Sequence, residues 1–351
     1  MGLKFSEDLA AWHHWAEKQN RLRWLKNKMS RQGVAEAVTF ILFSRSPAKP
    51  RMLVALESTS PTQVASLLAP AERLIDMGVP VGVIAPQECT SLLHARGYKA
   101  RDLFSSKDHA PDSLGKVQEV IAVGNYLQVG EWAYKNSLHQ GWGFNVIQHG
   151  LNTPFAPPLP HRSTLFAFSE ADAKFWKSGR ADIDFYVTGS QIFYEAYQNP
   201  ASDWQGYKKA PIFLGQMHGV ELSRFSFANA SFKFCLNHSA IYRPHPSEKD
   251  RLSTIIQQLW VKRGIKIDRS SVPLKELNSP VVSVFSTGVL EAAIRGVPAW
   301  VYHPRPPQWL KEFWDRYGMN QWGSEPTPAP AQPDTEPAER IAHIIAQKLE
   351  K

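Results

Sequence analysis

The segment Ala-Ile-Tyr-Arg-Pro-His-Pro at 240–246 sets an arginine and a histidine among two prolines at the end of a short apolar run. Proline fixes its own φ and restricts the residue before it. Arg243 and His245 are therefore held in place before any ligand arrives, which lowers the ordering cost of binding. A guanidinium fork beside an imidazole suits a phosphate. The bland alternative is a surface corner in which His245 caps a neighbouring helix. A second segment offers matching chemistry. The run Val281–Phe285 stops at Ser286-Thr287-Gly288, and a helical pattern containing Glu291 begins at once. Hydroxyls and N–H groups at a helix start bind anions. Equally, Ser286 or Thr287 could be an N-cap with Glu291 as its electrostatic partner. Two further groups could move protons: His149, which ends Val-Ile-Gln-His-Gly, and Glu57, which ends Val-Ala-Leu-Glu.

These groups meet only if strand ends are placed side by side. Short apolar runs at 52–56, 79–86, 117–124, 144–150, 164–169 and 184–189 alternate with helical stretches at 61–78, 91–97, 127–141 and 170–179. The rhythm weakens around 195–210 and resumes at 211–215, 240–242, 265–267, 281–285 and 298–303, with helices near 220–236, 248–263 and 287–296. Apolar strands alternating with helices predict parallel sheets covered on both faces. The chain divides into Rossmann-like domains at 1–205 and 206–324, a Pro-rich tether at 325–337 and a terminal helix at 338–351. A further helix spans 6–30, with Ser6 as its N-cap. Two doubly wound α/β halves facing across a cleft are expected, with ligands beyond the carboxyl ends of the strands. Gly215, at one such end, leaves room for a ligand to approach the backbone.

The Arg-x-His-Pro turn, followed by strand-Ser-Thr-Gly-x-x-Glu-Ala-x-x-x-Gly-x-Pro, resembles the GT-B superfamily. It is similar to the branch that builds bacterial surface polymers: sialyl- and polysialyltransferases, Kdo transferases and the CDP-glycerol glycerophosphotransferases. The match covers mainly 211–303, with weaker support from Gln-His-Gly at 148–150. The resemblance implies an inverting glycosyltransferase that needs no metal or other cofactor. Arg243, His245, Ser286 and Thr287 would hold the phosphate of a nucleotide-activated donor, CMP or CDP type favoured. Glu291 would reach a ribose or sugar hydroxyl, and Gly215 would admit the donor. The first domain would take the acceptor, a capsule, lipopolysaccharide or related surface glycan. There His149 would be the general base and Glu57 its reserve. Two departures stand out: the acidic Asp/Glu-Asp/Glu-Gly triplet of many sialyltransferases is missing, and Phe-Ser-Thr-Gly replaces the Asp-Tyr-Ser-Ser of the teichoic-acid enzymes. Polyol-phosphate transfer and a non-catalytic module for anionic glycans or nucleotides stay open as alternatives.

Composition agrees with a soluble enzyme of anionic substrates. The 351 residues are 43% hydrophobic and 21% charged, and the net charge is +8. That sign favours anionic partners without choosing among them. No zinc finger, RNP-like motif or long basic run supports nucleic acid. The two cysteines, Cys89 and Cys235, exclude a disulfide framework and suit a reducing cytoplasm. The stretch from Arg21 to Arg31 is basic and aromatic. It reads either as a solvated helix face or as a docking element for the anionic inner face of the plasma membrane. Asp182 and Asp184 form an Asp-x-Asp, but it precedes a strand instead of ending one, a poor place for a metal. Trp12 and Trp15 read as packing residues.

Overall fold

The computed structural model describes residues 2–19, 38–107, 110–111, 114–201, 209–217, 219–270 and 272–350. The basic stretch at 21–31 lies outside the described residues. The chain forms two compact units, Met1–Ile192 with Pro333–Lys351, and Phe193–Gln332. The division falls within a helix at Gln191–Gln198, earlier than the weakened pattern at 195–210 suggested, and the terminal helix belongs to the first unit.

The first unit is built on an eight-stranded sheet. Its strands are β1 (Thr39–Ser44), β2 (Met52–Ala55), β3 (Val81–Ala85), β4 (Lys99–Ser105), β5 (Glu119–Ala122), β6 (Gly143–Ile147), β7 (Thr164–Ala167) and β8 (Asp184–Val187). Their order is β4-β1-β3-β2-β5-β6-β7-β8. From β3 to β8 the neighbours are parallel, whereas β1 runs antiparallel to both β3 and β4. These two strands were not expected. In β4 every residue but Phe104 escapes full burial, so no apolar run announces it. Lys99, Arg101 and Asp102 on this outer strand also discourage pairing with another chain. In β2 all four residues are buried. Met52 and Val54 enter one core cluster, Leu53 and Ala55 the other, as a period of two on a doubly covered sheet requires.

The helices of this unit are α1 (Leu9–Gln19), α2 (Ala69–Asp76, entered through a π-helical turn at Val64–Leu68), α3 (Thr90–Ala95), α4 (Gln128–Gln140), α5 (Glu170–Lys177), α6 (Gln191–Gln198, which runs on into the second unit) and, after the second unit, α11 (Pro337–Leu349). Helix α11 adds Ile341, Ala342, Ile345 and Leu349 to the core cluster of Met52 and Val54. Polar clasps hold its two ends. Glu336 accepts from Arg73 at 2.7 Å and from Gln191 at 2.8 Å, while Lys348 donates to Asn145 at 2.8 Å and Thr164 at 2.9 Å. At the N-terminus Trp15 stacks on Phe155 with centroids 4.9 Å apart, and the Trp12 indole N–H donates to the Phe155 carbonyl at 2.8 Å. Both tryptophans pack, as expected. Asp182 is occupied as well: Arg180 donates to it at 2.6 Å, and the His161 ring and the Arg162 N–H sit at 3.1 Å.

The second unit carries a parallel sheet of β9 (Ile212–Leu214), β10 (Ile241–Arg243), β11 (Lys266–Ile267), β12 (Val281–Ser283) and β13 (Ala299–Val301), ordered β11-β10-β9-β12-β13. Its helices are α7 (Arg224–His238), α8 (Arg251–Val261), α9 (Gly288–Ile294) and α10 (Gln308–Arg316). The Pro-rich segment is partly fitted to this unit: Thr327 is buried, and its N–H donates to the Ala299 carbonyl at 2.9 Å.

Because α11 completes a core, Ile345→Ala should destabilise the first unit by about 2–5 kcal/mol, the usual range for truncating a buried Ile. Urea unfolding followed by a probe in that unit measures this. An unchanged midpoint would mean that α11 is not part of the core.

Candidate functional site

In a doubly wound sheet the strand order reverses at one place, and the loops on either side open a crevice there. In the second unit β9 has β10 and then β11 on one side, and β12 and then β13 on the other. The reversal lies between β9 and β12. The loops leaving β9, β10 and β12 carry Gly215, the Arg-Pro-His-Pro turn and Ser286-Thr287. The fold thus brings five of the six sequence-predicted donor residues to the strand ends and loops at one edge of one sheet, and the sixth, Glu291, lies in α9, the helix that follows Thr287.

Buried hydrogen bonds fix that edge. The Tyr242 hydroxyl donates to Glu248 Oε2 at 2.7 Å, and Met217 N–H donates to Glu248 Oε1 at 2.9 Å. The Glu248 N–H in turn donates to the His245 carbonyl at 2.8 Å. One buried carboxyl group therefore ties the β9 loop to the His-Pro turn. Burial pushes the Glu248 pKa up and the Tyr242 hydroxyl well up. Gly215 is needed here for a reason the sequence did not reveal. A Cβ on it would lie 2.3 Å from the Tyr242 hydroxyl and 2.8 Å from Glu248 Oε1. The Gln216 side chain spans the reversal. Its Oε1 accepts from the Ser283 hydroxyl and from Phe285 N–H, each at 3.0 Å. Sequence reasoning missed Gln216, Tyr242 and Glu248. Glu248, three residues past His245, was the one visible signal, because nothing else in that turn explains an acid.

The predicted phosphate ligands differ in availability. Arg243 pairs with Asp268 at 3.1 Å and also donates to the Val272 carbonyl. Its charge is largely spent within the unit, on the β11 side. His245 is exposed, and its Nδ1 accepts Ser247 N–H at 3.1 Å. The neutral ring therefore carries its proton on Nε2, and desolvation lowers its pKa. With Nδ1 accepting, Nε2 is the ring's donor. Ser286 Oγ accepts Gly288 N–H at 3.2 Å, while Thr287 is the N-cap residue of α9 and makes no side-chain cap bond. Thr287 hydrogen-bonds the Glu291 carboxyl group, which is buried and has its pKa pushed up to about 7 by desolvation.

In the first unit the order reverses at β2, between β3 and β5. Glu57 leaves β2 at that point and caps α4. Its carboxylate accepts Gly130 N–H at 2.6 Å and Val129 N–H at 3.2 Å. Leu127 at the N-cap position has no side-chain acceptor, so Glu57 satisfies groups that would otherwise be orphaned. Burial nevertheless outweighs these bonds and pushes its pKa up to about 7. Gly130 has no room for a Cβ, which would fall 2.0 Å from the Gly124 carbonyl. His149 ends β6, beside β5. Its Nδ1 is shielded from solvent and has no hydrogen-bond partner, and desolvation pushes its pKa down to about 4. The neighbouring Gln148 is buried and shapes this turn, accepting from Phe168 N–H at 2.9 Å and donating to the Gly150 carbonyl at 3.0 Å. Asn125 Oδ1, after β5, is also buried without a partner. No group of three potential metal ligands occurs among the described residues.

No protein-family model and no curated protein matches the sequence. Solved structures do match. The Methanocaldococcus jannaschii UDP-GlcNAc 2-epimerase in complex with UDP-GlcNAc and UDP aligns with a TM-score of 0.57 at 14% identity, over 84% of this chain and 99% of that chain. S. aureus MnaA, solved with UDP, aligns with a TM-score of 0.52 at 13% identity, over 86% of this chain and 88% of that chain. At such identities the likeness concerns the fold: this chain has the mixed α/β, GT-B-like architecture of the UDP-GlcNAc 2-epimerases, as its strand-end motifs implied.

Proposed function

We propose that this protein is an enzyme acting on a nucleotide-activated sugar, whose nucleotide is held at the carboxyl edge of the second unit's sheet. The observation that carries this reading is the convergence at the β9–β12 reversal. Gly215, the His245 turn and Ser286-Thr287 meet there, braced by Glu248 and Gln216. The braces are made between the protein's own groups, which limits the ordering needed on binding. His245 Nε2–H would donate to a phosphate oxygen, and Thr287 and Glu291 would face the sugar side of the nucleotide. Arg243 serves in this reading to anchor the turn through Asp268, not to touch phosphate.

The reaction favoured is metal-independent glycosyl transfer to a surface glycan, with a lipid-linked acceptor at the inner membrane face among the candidates. His149 would accept the acceptor hydroxyl proton. An uncharged imidazole whose Nδ1 is shielded and unpartnered is ready for this, although its low pKa makes it a weak base. A second reading, chemistry on the sugar itself, is supported by the fold neighbours that carry UDP-GlcNAc and UDP. The same neighbours move the expected nucleotide from the cytidine to the uridine series. Slow donor hydrolysis without acceptor marks a transferase. A changed sugar on an intact nucleotide marks the second reading, and neither product marks a binding module.

Thermal shift tests the nucleotide site. UDP at about 100 times its dissociation constant should stabilise the protein by about 2.7 kcal/mol. A shift with CMP or CDP alone would restore the cytidine series, and no shift with any nucleotide would remove the proposal. Gly215→Ala should cost about 1–3 kcal/mol through overpacking and should abolish the nucleotide response, because the β9 loop must move. A response of wild-type size in this variant would show that the brace does not shape the site.

The proton step has a pH signature. With His149 as base, kcat/KM should rise through about pH 4 and stay flat where an ordinary histidine titrates. His149→Ala should keep nucleotide affinity and lose about 10²–10⁴-fold in rate. A limb near pH 7 that disappears in Glu57→Gln would transfer the role to Glu57, whose pKa lies there.

A further inference from the structure

The second unit exposes an apolar face that its own core does not use. On α8, Ser253, Gln257 and Trp260 point inward and are buried. Leu252, Ile255 and Leu259 are 43, 52 and 55% exposed, and their spacing puts them on one stripe of the helix. Helix α7 packs beside α8: Arg224 pairs with Asp250 at 2.6 Å, and the Phe232 ring lies 6.2 Å from the Trp260 ring. On α7, Phe225 is 81% exposed. Two adjacent helices therefore each leave large apolar side chains in water, where a soluble monomer usually keeps such groups scattered.

The rim of this face is basic. Lys249, Arg251, Lys262 and Arg263 are exposed, and none has an ion pair among the described residues. Asp250, the acid among them, is already paired with Arg224. A surface apolar in its middle and cationic at its edge is complementary to an anionic lipid bilayer. Alkyl and aromatic groups enter the headgroup boundary while cations meet the phosphates. A second copy of the chain fits less well, because a two-fold contact brings the same unpaired cations face to face.

We propose that the α7–α8 face docks the protein on an anionic membrane surface. This extends the lipid-linked acceptor reading, but it rests on other residues than the strand-end motifs and the basic stretch at 21–31.

Vesicle co-sedimentation of the full chain, without nucleotide, tests the proposal independently of any turnover. Wild-type protein should pellet with phosphatidylcholine vesicles containing phosphatidylglycerol, pellet less as salt rises, and ignore pure phosphatidylcholine. Ile255→Ser with Leu259→Ser, and separately Lys262→Glu with Arg263→Glu, should each weaken partitioning by about tenfold or more. All four side chains are exposed, so both variants should melt like wild type, and circular dichroism checks that they do. Binding of wild-type strength in either variant overturns the proposal. So does binding that is lost only when Lys26 and Lys28 are reversed. Sedimentation velocity covers the remaining occupant: a concentration-dependent dimer abolished by Ile255→Ser with Leu259→Ser, without vesicle binding, would assign the face to self-association.

Discussion

The second unit's site rests on one close approach. Tyr242 donates to Glu248 directly over Gly215, in a space where even a methyl group would collide with the hydroxyl. Glu248 then fixes Met217 on one side and the His245 carbonyl on the other. A buried carboxyl group without partners would be strongly unfavourable, so the conformations of the β9 loop and the His-Pro turn are coupled. The two prolines stiffen the turn, and this network sets where it points. The fold tolerates a buried acid here because each of its oxygens has a donor.

The first unit uses a related device at its own reversal. Glu57 leaves β2 and accepts two N–H groups from the start of α4. In both units an acid belonging to one strand's loop, partly buried in the first unit and buried in the second, bonds the backbone that follows a neighbouring strand. Both acids have raised pKa values because burial outweighs the bonds that favour the anion. The electrostatic character of the candidate sites follows from this. Arg243 is neutralised by Asp268, His245 is an N–H donor, and His149 is held uncharged. The net charge of +8 is instead conspicuous on surfaces such as the rim of α8, where Lys249, Arg251, Lys262 and Arg263 are exposed and the one acid among them, Asp250, is paired with Arg224.

Much of this was legible in the chain. The apolar runs that became β2, β3, β5, β6, β7, β9, β12 and β13 are buried along almost their whole length, and burial on both faces writes continuous hydrophobicity into the sequence, whereas β8 and β10 are only partly buried. Strand β4 was not legible, because one face is solvated and the strand lies at an edge. Helix α10 was hidden behind the prolines at 304–307, whose usual reading is a loop. The motif residues were found at strand ends, but their partners were not. Tyr242 looks like one more apolar strand residue, and Asp268 lies far along the chain from Arg243. No local pattern announces a contact made by tertiary folding. The sequence therefore pointed to Arg243 as a phosphate ligand, whereas the structure binds it to Asp268. It pointed to Gly215 as an opening for a ligand, whereas the structure fills that opening with a tyrosine hydroxyl.

The central claim is that a nucleotide sits at the β9–β12 reversal of the second unit. Hydrogen exchange measured by mass spectrometry with and without UDP-GlcNAc tests it most directly, since it reports the place of binding and not only its occurrence. The account predicts slowed exchange concentrated in 215–217, 244–248 and 284–291, with the outer strand β11 unchanged. Protection confined to the first unit, or none at saturating nucleotide sugar, would contradict it.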